Sequence, residues 1–220
     1  MNSGNNLDEF LKKQSKRVHS SDRGLANLVR DAYPIGVPAL IMKSSTDRMM
    51  ISSGYSFILG TPDEHLRSLA SWLITEAGNT HRTLLKLIKR LWKRHGREDV
   101  ALAAILLSNI DLKGMGTTPW KVLVDSIHPV EPVDSLLLNI EEIFRAKRQP
   151  PSEEMMLQWI EGRKVEQHLA LIVAYSGKIH GHYFSDEIIR KISLIEIPPG
   201  DSILARIIDK LNENKRITDC

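Results

Sequence analysis

Val100-Ala101-Leu102-Ala103-Ala104-Ile105-Leu106-Leu107-Ser108-Asn109-Ile110 decides the fold of this chain. A helix built on this stretch is apolar almost all round, so it has no face to give to water and must be covered by neighbours on both sides. Val165, Leu169, Ala170, Leu171, Ile172, Val173 and Ala174 repeat the pattern over residues 165–175. Both stretches predict inner helices of a larger helical assembly. Neither is a membrane span, because the longest apolar run, residues 100–107, is far below the roughly 20 residues that a spanning helix requires.

Around these two lie amphipathic segments. Leu66, Leu69, Ala70, Leu73, Ile74 and Ala77 recur at three- and four-residue steps, as do Leu136, Leu137, Ile140, Ile143 and Phe144, and again Ile203, Leu204, Ile207, Ile208 and Leu211. Each set marks one buried helical stripe. Thr61-Pro62 with Glu64 predicts a capped start to the first, Thr61 as cap, Pro62 in the first helical position and Glu64 completing a capping box. Thr118-Pro119, Ser152 before Glu153 and Glu154, and Ser185-Asp186-Glu187 predict three further starts. Additional helices are expected over 7–19, 23–33, 36–44, 80–95 and 119–127, whereas 44–60 has no clear pattern. No segment alternates with period two, and aromatic residues, which strands favour, are only 5% of the chain. An all-α chain follows. About a dozen short helices exceed a four-helix bundle but suit stacked pairs, each burying the face left open by the next, which is an α-solenoid. An irregular globular helical fold stands as the competing arrangement, since there is no strict internal repeat.

At 220 residues, 42% hydrophobic and 26% charged, the chain falls in the range of ordinary globular proteins. A single domain over 1–220 is expected, with frayed tails at 1–6 and 213–220. The polar, acidic start MNSGNNLDEF lacks the basic and apolar regions of a secretion signal, so a cytoplasmic location is expected. Cys220 is the only cysteine, which excludes an intrachain disulfide and a thiolate metal cage. A net charge of +3 permits a nucleic-acid partner without requiring one.

Distribution of charge is more telling. Arg82, Lys86, Lys89, Arg90, Lys93, Arg94 and Arg97 occur without one acid before Glu98. At about 100° per residue, Arg82, Lys86, Lys89, Arg90 and Lys93 fall in an arc of roughly 100°, opposite Leu84, Leu87, Ile88 and Leu91. Such a one-signed face suits the phosphates of DNA, and a solvated surface face is its other reading. Trp92 projects away from this arc and is expected in the core.

Several motifs show a family likeness. Leu91-Trp92, then His95-Gly96-Arg97-Glu98-Asp99, then Leu102-Ala103-Ala104-Ile105-Leu106-Leu107, resembles a segment of the DNA alkylation repair (AlkD-like) family. Gly36-Val37-Pro38 within residues 33–40, Val133-Asp134-Ser135-Leu136 with Asn139-Ile140, and Trp159 with Leu169-Ala170 are similar to further segments of that family, in the same order over about residues 30–180. The resemblance implies a HEAT-like solenoid whose concave basic face holds DNA bearing a cationic alkylated purine, which a buried carboxylate helps to excise. Asp134 takes the matching position. A carboxylate in the first turn of a helix also complements the helix dipole, and both readings of Asp134 stand. The family's flanking tryptophans are matched by Val130 and Val165, which offer no electron-rich face to a cation, and its paired arginines by Gln167 and His168.

Other sites are weaker. His180 and His182, with His168 nearby, lack a helical i, i+4 pair and matched carboxylate for zinc. Gly114-Met115-Gly116 lacks the strand and lysine of a phosphate loop and reads as a linker. Met49-Met50 and Met155-Met156 read as core filler. The expectation is therefore an all-α, HEAT-like protein that binds duplex or branched DNA without a metal, small-molecule cofactor or membrane, with alkylpurine glycosylase activity open. A non-catalytic scaffold that binds DNA structures or a protein partner is the alternative.

Overall fold

A computed structural model describes residues 3–39 and 54–213. Among the described residues the chain is all-helical, with no strand and no helix long and apolar enough to cross a membrane. Its contacts divide into two compact units, Met1–Ser126 and Ile127–Cys220.

The first unit contains α1 (Ser3–Lys12), α2 (Asp22–Ala32), α3 (Asp63–Ala77), α4 (Arg82–Arg94), α5 (Arg97–Asn109) and α6 (Pro119–Val124), with short 3-10 turns at Lys16–Ser20 and Lys113–Met115. Every residue from 98 to 108 is buried, as is Ile110, so α5 is the inner helix that its composition predicts. It packs against α3, α4 and α6, while α4 turns its other flank to α2. The second unit contains α7 (Val133–Arg145), α8 (Glu153–Ile160), α9 (Lys164–Ile179), α10 (Asp186–Ile192) and α11 (Ser202–Glu213). Here α9 is the inner helix, in contact with all four others, and Leu169 to Ala174 are buried without a break.

Several local expectations are corrected. The helix expected over 7–19 is two pieces, because the Gln14 side-chain amide folds back on the Phe10 carbonyl and Ser15 starts a 3-10 turn by accepting from the Arg17 backbone amide. Thr61 does not cap α3. Its hydroxyl is buried and donates to the Tyr33 carbonyl at 3.0 Å, and Pro62 is the cap residue instead, with no side-chain bond. Thr118 and Ser152 do cap, accepting from the Lys121 and Met155 amides. Ser185 precedes α10 as expected without a side-chain cap. Residues 40–44 of the helix expected over 36–44, and Met49-Met50, lie outside the described residues. Met156 is core, as is Trp92 at 1% exposure.

The start of α5 is where the first unit is tied together. Asp99, fully buried, accepts the Tyr33 hydroxyl at 2.9 Å and the Arg94 Nε at 2.6 Å, with a second Arg94 nitrogen on the same carboxylate. Arg94 also donates to the Ala26 carbonyl at 2.8 Å. Beside it, one oxygen of the buried Glu98 accepts from the amides of Leu59, Gly60 and Thr61. This ties the non-helical residues 54–61 to α5, and bonds from the Ser56 amide to the His95 carbonyl and from the Arg97 amide to the Phe57 carbonyl reinforce it, both at 2.9 Å. The Phe57 ring closely approaches Gly96, and a Cβ there would lie 2.0 Å from the ring and displace it. Burial, joined by the Asp99 charge, pushes the Tyr33 phenol well above its usual range, so it stays a donor.

Breaking a buried pair leaves its partner charged and unsatisfied, which costs more than the pair itself contributes. Asp99→Ala is therefore expected to destabilise the protein by roughly 3–5 kcal/mol in urea unfolding. Asp63→Ala, which removes the exposed pair with Arg67, should change stability by about 0.5 kcal/mol or less.

Stability should also depend on pH through His65. Burial holds this imidazole below the ordinary histidine value of 6.5, against the opposing bond between its Nε2 and the Ala32 carbonyl. The unfolded chain takes up the proton first as pH falls, so stability is present above 6.5 and declines below it until the folded value is passed. The expected outcome is a lower urea midpoint at pH 5.5 than at 7.5, with the difference reduced in His65→Gln.

Candidate nucleic-acid interface

The α4 helix has one apolar and one cationic face, as its sequence predicts. Leu84, Leu87, Ile88 and Leu91 are buried, and Arg82, Lys86, Lys89, Arg90 and Lys93 are exposed. Ends of the helix follow from local chemistry: His95 takes the left-handed conformation at φ 58° and donates to the Leu91 carbonyl, closing α4 before α5 begins.

Tertiary contacts sort the seven cations into two groups. Arg94 belongs to the buried tie with Asp99 and Tyr33. Burial would lower its affinity for a proton, but the Asp99 bond and charge outweigh that and raise it. Arg90 is also engaged, with Nε and a terminal nitrogen each 2.7 Å from one Asp22 oxygen. The Arg90 bond, aided by nearby Lys86, holds the Asp22 carboxyl below its usual range. Arg82, Lys89 and Lys93 make no ion pair among the described residues, and Lys86 has only the neighbouring Asp22 field. Arg97 is half-buried, with its amide on the Phe57 carbonyl. The free cationic face thus comprises Arg82, Lys86, Lys89 and Lys93. It spans about 16 Å along the helix at roughly 1.5 Å per residue.

No exposed aromatic ring stands on α4, since Trp92 is buried. The face therefore lacks the platforms on which unpaired bases stack, and has only charge to offer.

In the second unit Gln167 donates its side-chain amide to the Ile160 carbonyl at 3.1 Å and to that of Gly162 at 3.5 Å, so it fastens the end of α8. His168 is half-buried, and desolvation holds its imidazole below the ordinary histidine range despite the opposing Asp201 charge, leaving it neutral at pH 7. Neither side chain is a cation.

Asp134 is exposed in the first turn of α7, the helix-dipole position. Val130 and Val165 do not share an environment: Val130 is 91% exposed and Val165 3%. The buried acid near this helix start is Glu131, which accepts from the His128 amide at 3.1 Å and from the Ser135 hydroxyl. Sequence reasoning passed over it, although an acid four residues before a serine at a helix entrance is a local bonding signal. His180 and His182 stack on Phe144, and His180 Nε2 lies 3.0 Å from Glu141, so these rings close the end of α9. Gly114-Met115-Gly116 lies in and just after a 3-10 turn.

Comparison with protein-family models, curated proteins and solved structures finds no match.

Asp22 is the acid that restrains this face. Asp22→Ala should release Arg90 and lift the opposing field from Lys86; if this face meets duplex DNA, affinity should rise and the slope of log K against log salt should steepen by about 0.9 per phosphate gained. Titrations of both proteins over a salt series measure the change. An unchanged slope would count against a phosphate contact by the released Arg90.

Proposed function

We propose that this chain is a HEAT-like helical-repeat protein that binds duplex DNA through the phosphate backbone. The observation that carries this reading is the face of Arg82, Lys86, Lys89 and Lys93, which is exposed and free of ion pairs among the described residues. Its support is electrostatic. A duplex carries one charge per about 1.7 Å of axis, so a cationic face of this span meets several phosphates and displaces their counterions. Backbone contacts position a protein without reading bases, and the absence of an exposed aromatic on α4 favours a duplex over a single strand.

The arrangement of helices is part of the proposal. Within each unit one apolar helix is covered by amphipathic neighbours, which is how repeats bury a shared core, and the likeness to the DNA alkylation repair family points the same way. Binding without excision fits the residues better than glycosylase action. Cleavage by that route needs a buried carboxylate where positive charge develops, and Asp134 is in water.

A second reading, a non-catalytic scaffold for a protein partner, draws on the exposed Val130, Ile179, Tyr183 and Leu194 of the second unit. Single exposed apolar residues are common on protein surfaces, so this support is the weaker.

Fluorescence polarisation with labelled duplex at 50 and 200 mM salt separates the two. Four phosphate contacts predict a slope of about −3.6, a loss of roughly a hundredfold over that range. Lys89→Ala and Lys93→Ala should each reduce the slope by about 0.9, and a single strand of equal length should bind more weakly. Absent or salt-insensitive binding favours the scaffold. Release of methylated purines from treated DNA, equal in the parent protein and Asp134→Asn, is the expected result for a binder that does not use this carboxylate.

A further inference from the structure

The second unit has a cleft of about 200 Å³ lined by Leu137 of α7, Tyr175 of α9, and Ile203, Arg206, Ile207 and Lys210 of α11. It is remote in chemistry from the face on α4, and nothing inferred for that face bears on it. Leu137, Ile203 and Ile207 give it an apolar floor. Donors make up the rim. Lys210 Nζ lies 3.3 Å from the Tyr175 hydroxyl oxygen and 5.8 Å from the centre of that ring. Because the ammonium donates to this oxygen, the phenolic hydrogen remains available to an acceptor. Arg206 uses its Nε on the Ser202 carbonyl at 3.1 Å, and its other guanidinium nitrogens have no partner among the described residues. Lys178 adds a third cation nearby, donating to the Lys210 carbonyl at 3.5 Å.

No carboxylate lines this cleft. Asp209 precedes Lys210 but is turned about 100° round the helix, and Glu141 of α7 is engaged by His180. Donors therefore converge over an apolar floor with no acceptor of opposite charge. A dry apolar cavity of about 150 Å³ holds a benzene ring, so this cleft has room for one ring and a short link.

We infer that the cleft is a binding site for a small amphipathic anion, a single aromatic ring or short chain bearing a carboxylate or phosphate. The apolar body packs on Leu137, Ile203 and Ile207, and the anionic group meets Arg206, Lys210 and the Tyr175 hydroxyl. An apolar pocket with a few convergent polar groups is the usual form of a small-ligand site, and charge-assisted hydrogen bonds are the strong ones. A neutral ring gains only the floor, and a bare phosphate only the rim.

Titration of the full chain followed by NMR, with benzoate, phenyl phosphate, benzyl alcohol and inorganic phosphate as probes, tests this. Benzoate and phenyl phosphate should shift the signals of Tyr175, Ile203 and Ile207, and bind about tenfold or more tightly than either benzyl alcohol or phosphate. Arg206→Gln and Lys210→Gln, both at exposed positions, should each weaken the two aromatic anions about tenfold and leave benzyl alcohol unchanged. Ile203→Trp should fill the cleft and abolish all three aromatic shifts, with an unchanged circular dichroism spectrum showing an intact fold. Equal binding of benzoate and benzyl alcohol would overturn the inference, as would full affinity in both glutamine variants. Shifts that map outside the cleft, or no shift by either anion at its solubility limit, would overturn it as well.

Discussion

Asp99 has no exposed surface, yet it carries a charge, and the first unit is arranged so that this charge is never unpaired. Two nitrogens of Arg94, the Tyr33 hydroxyl and the Gly96 amide all donate to it, which draws α2, α4 and α5 to one point. Burying a carboxylate costs several kcal/mol, and only a full set of charge-assisted hydrogen bonds offsets that. Glu98, one residue earlier, accepts through one oxygen from three consecutive backbone amides of residues 59–61, each of which would otherwise lack a helical partner at the approach to α3. Both acids also lie in the first turn of α5, where the helix dipole favours negative charge.

This constraint reaches the surface. By engaging Arg94, the buried tie removes one cation from the α4 face, and Asp22 removes another through Arg90. What remains is narrower than seven basic residues, but consists of side chains that have not been neutralised. A surface of that kind would contribute affinity that salt weakens, which is the physical ground for the proposed contact with phosphates. The second unit uses its cations differently. Arg206 and Lys210 stand over an apolar floor beside a phenol, which suits a small anion with an apolar body.

Around α9 the second unit repeats the physical solution of the first, one helix without a polar face enclosed by others that have one. Glu131 holds the Ser135 hydroxyl and the His128 amide at the entrance to α7, and Asn139 donates to the Ser135 carbonyl one turn on. Gln167 and the His180–Glu141 pair fasten the ends of α8 and α9.

The sequence by itself determined the helical class, the two inner helices and the division of α4 into an apolar and a cationic face. These follow from periodicity, and periodicity is local: Leu84, Leu87, Ile88 and Leu91 share a face whatever surrounds them. Only the tertiary structure decided which cations are free, because Asp22 and Arg90 are 68 residues apart, and Tyr33 and Asp99 66. It likewise took Thr61 from the cap of α3 to the Tyr33 carbonyl, left Asp134 in water, and brought Leu137, Tyr175 and Lys210 round one cleft. Each of these depends on a partner distant in the chain, and spacing along a sequence carries no information about such partners.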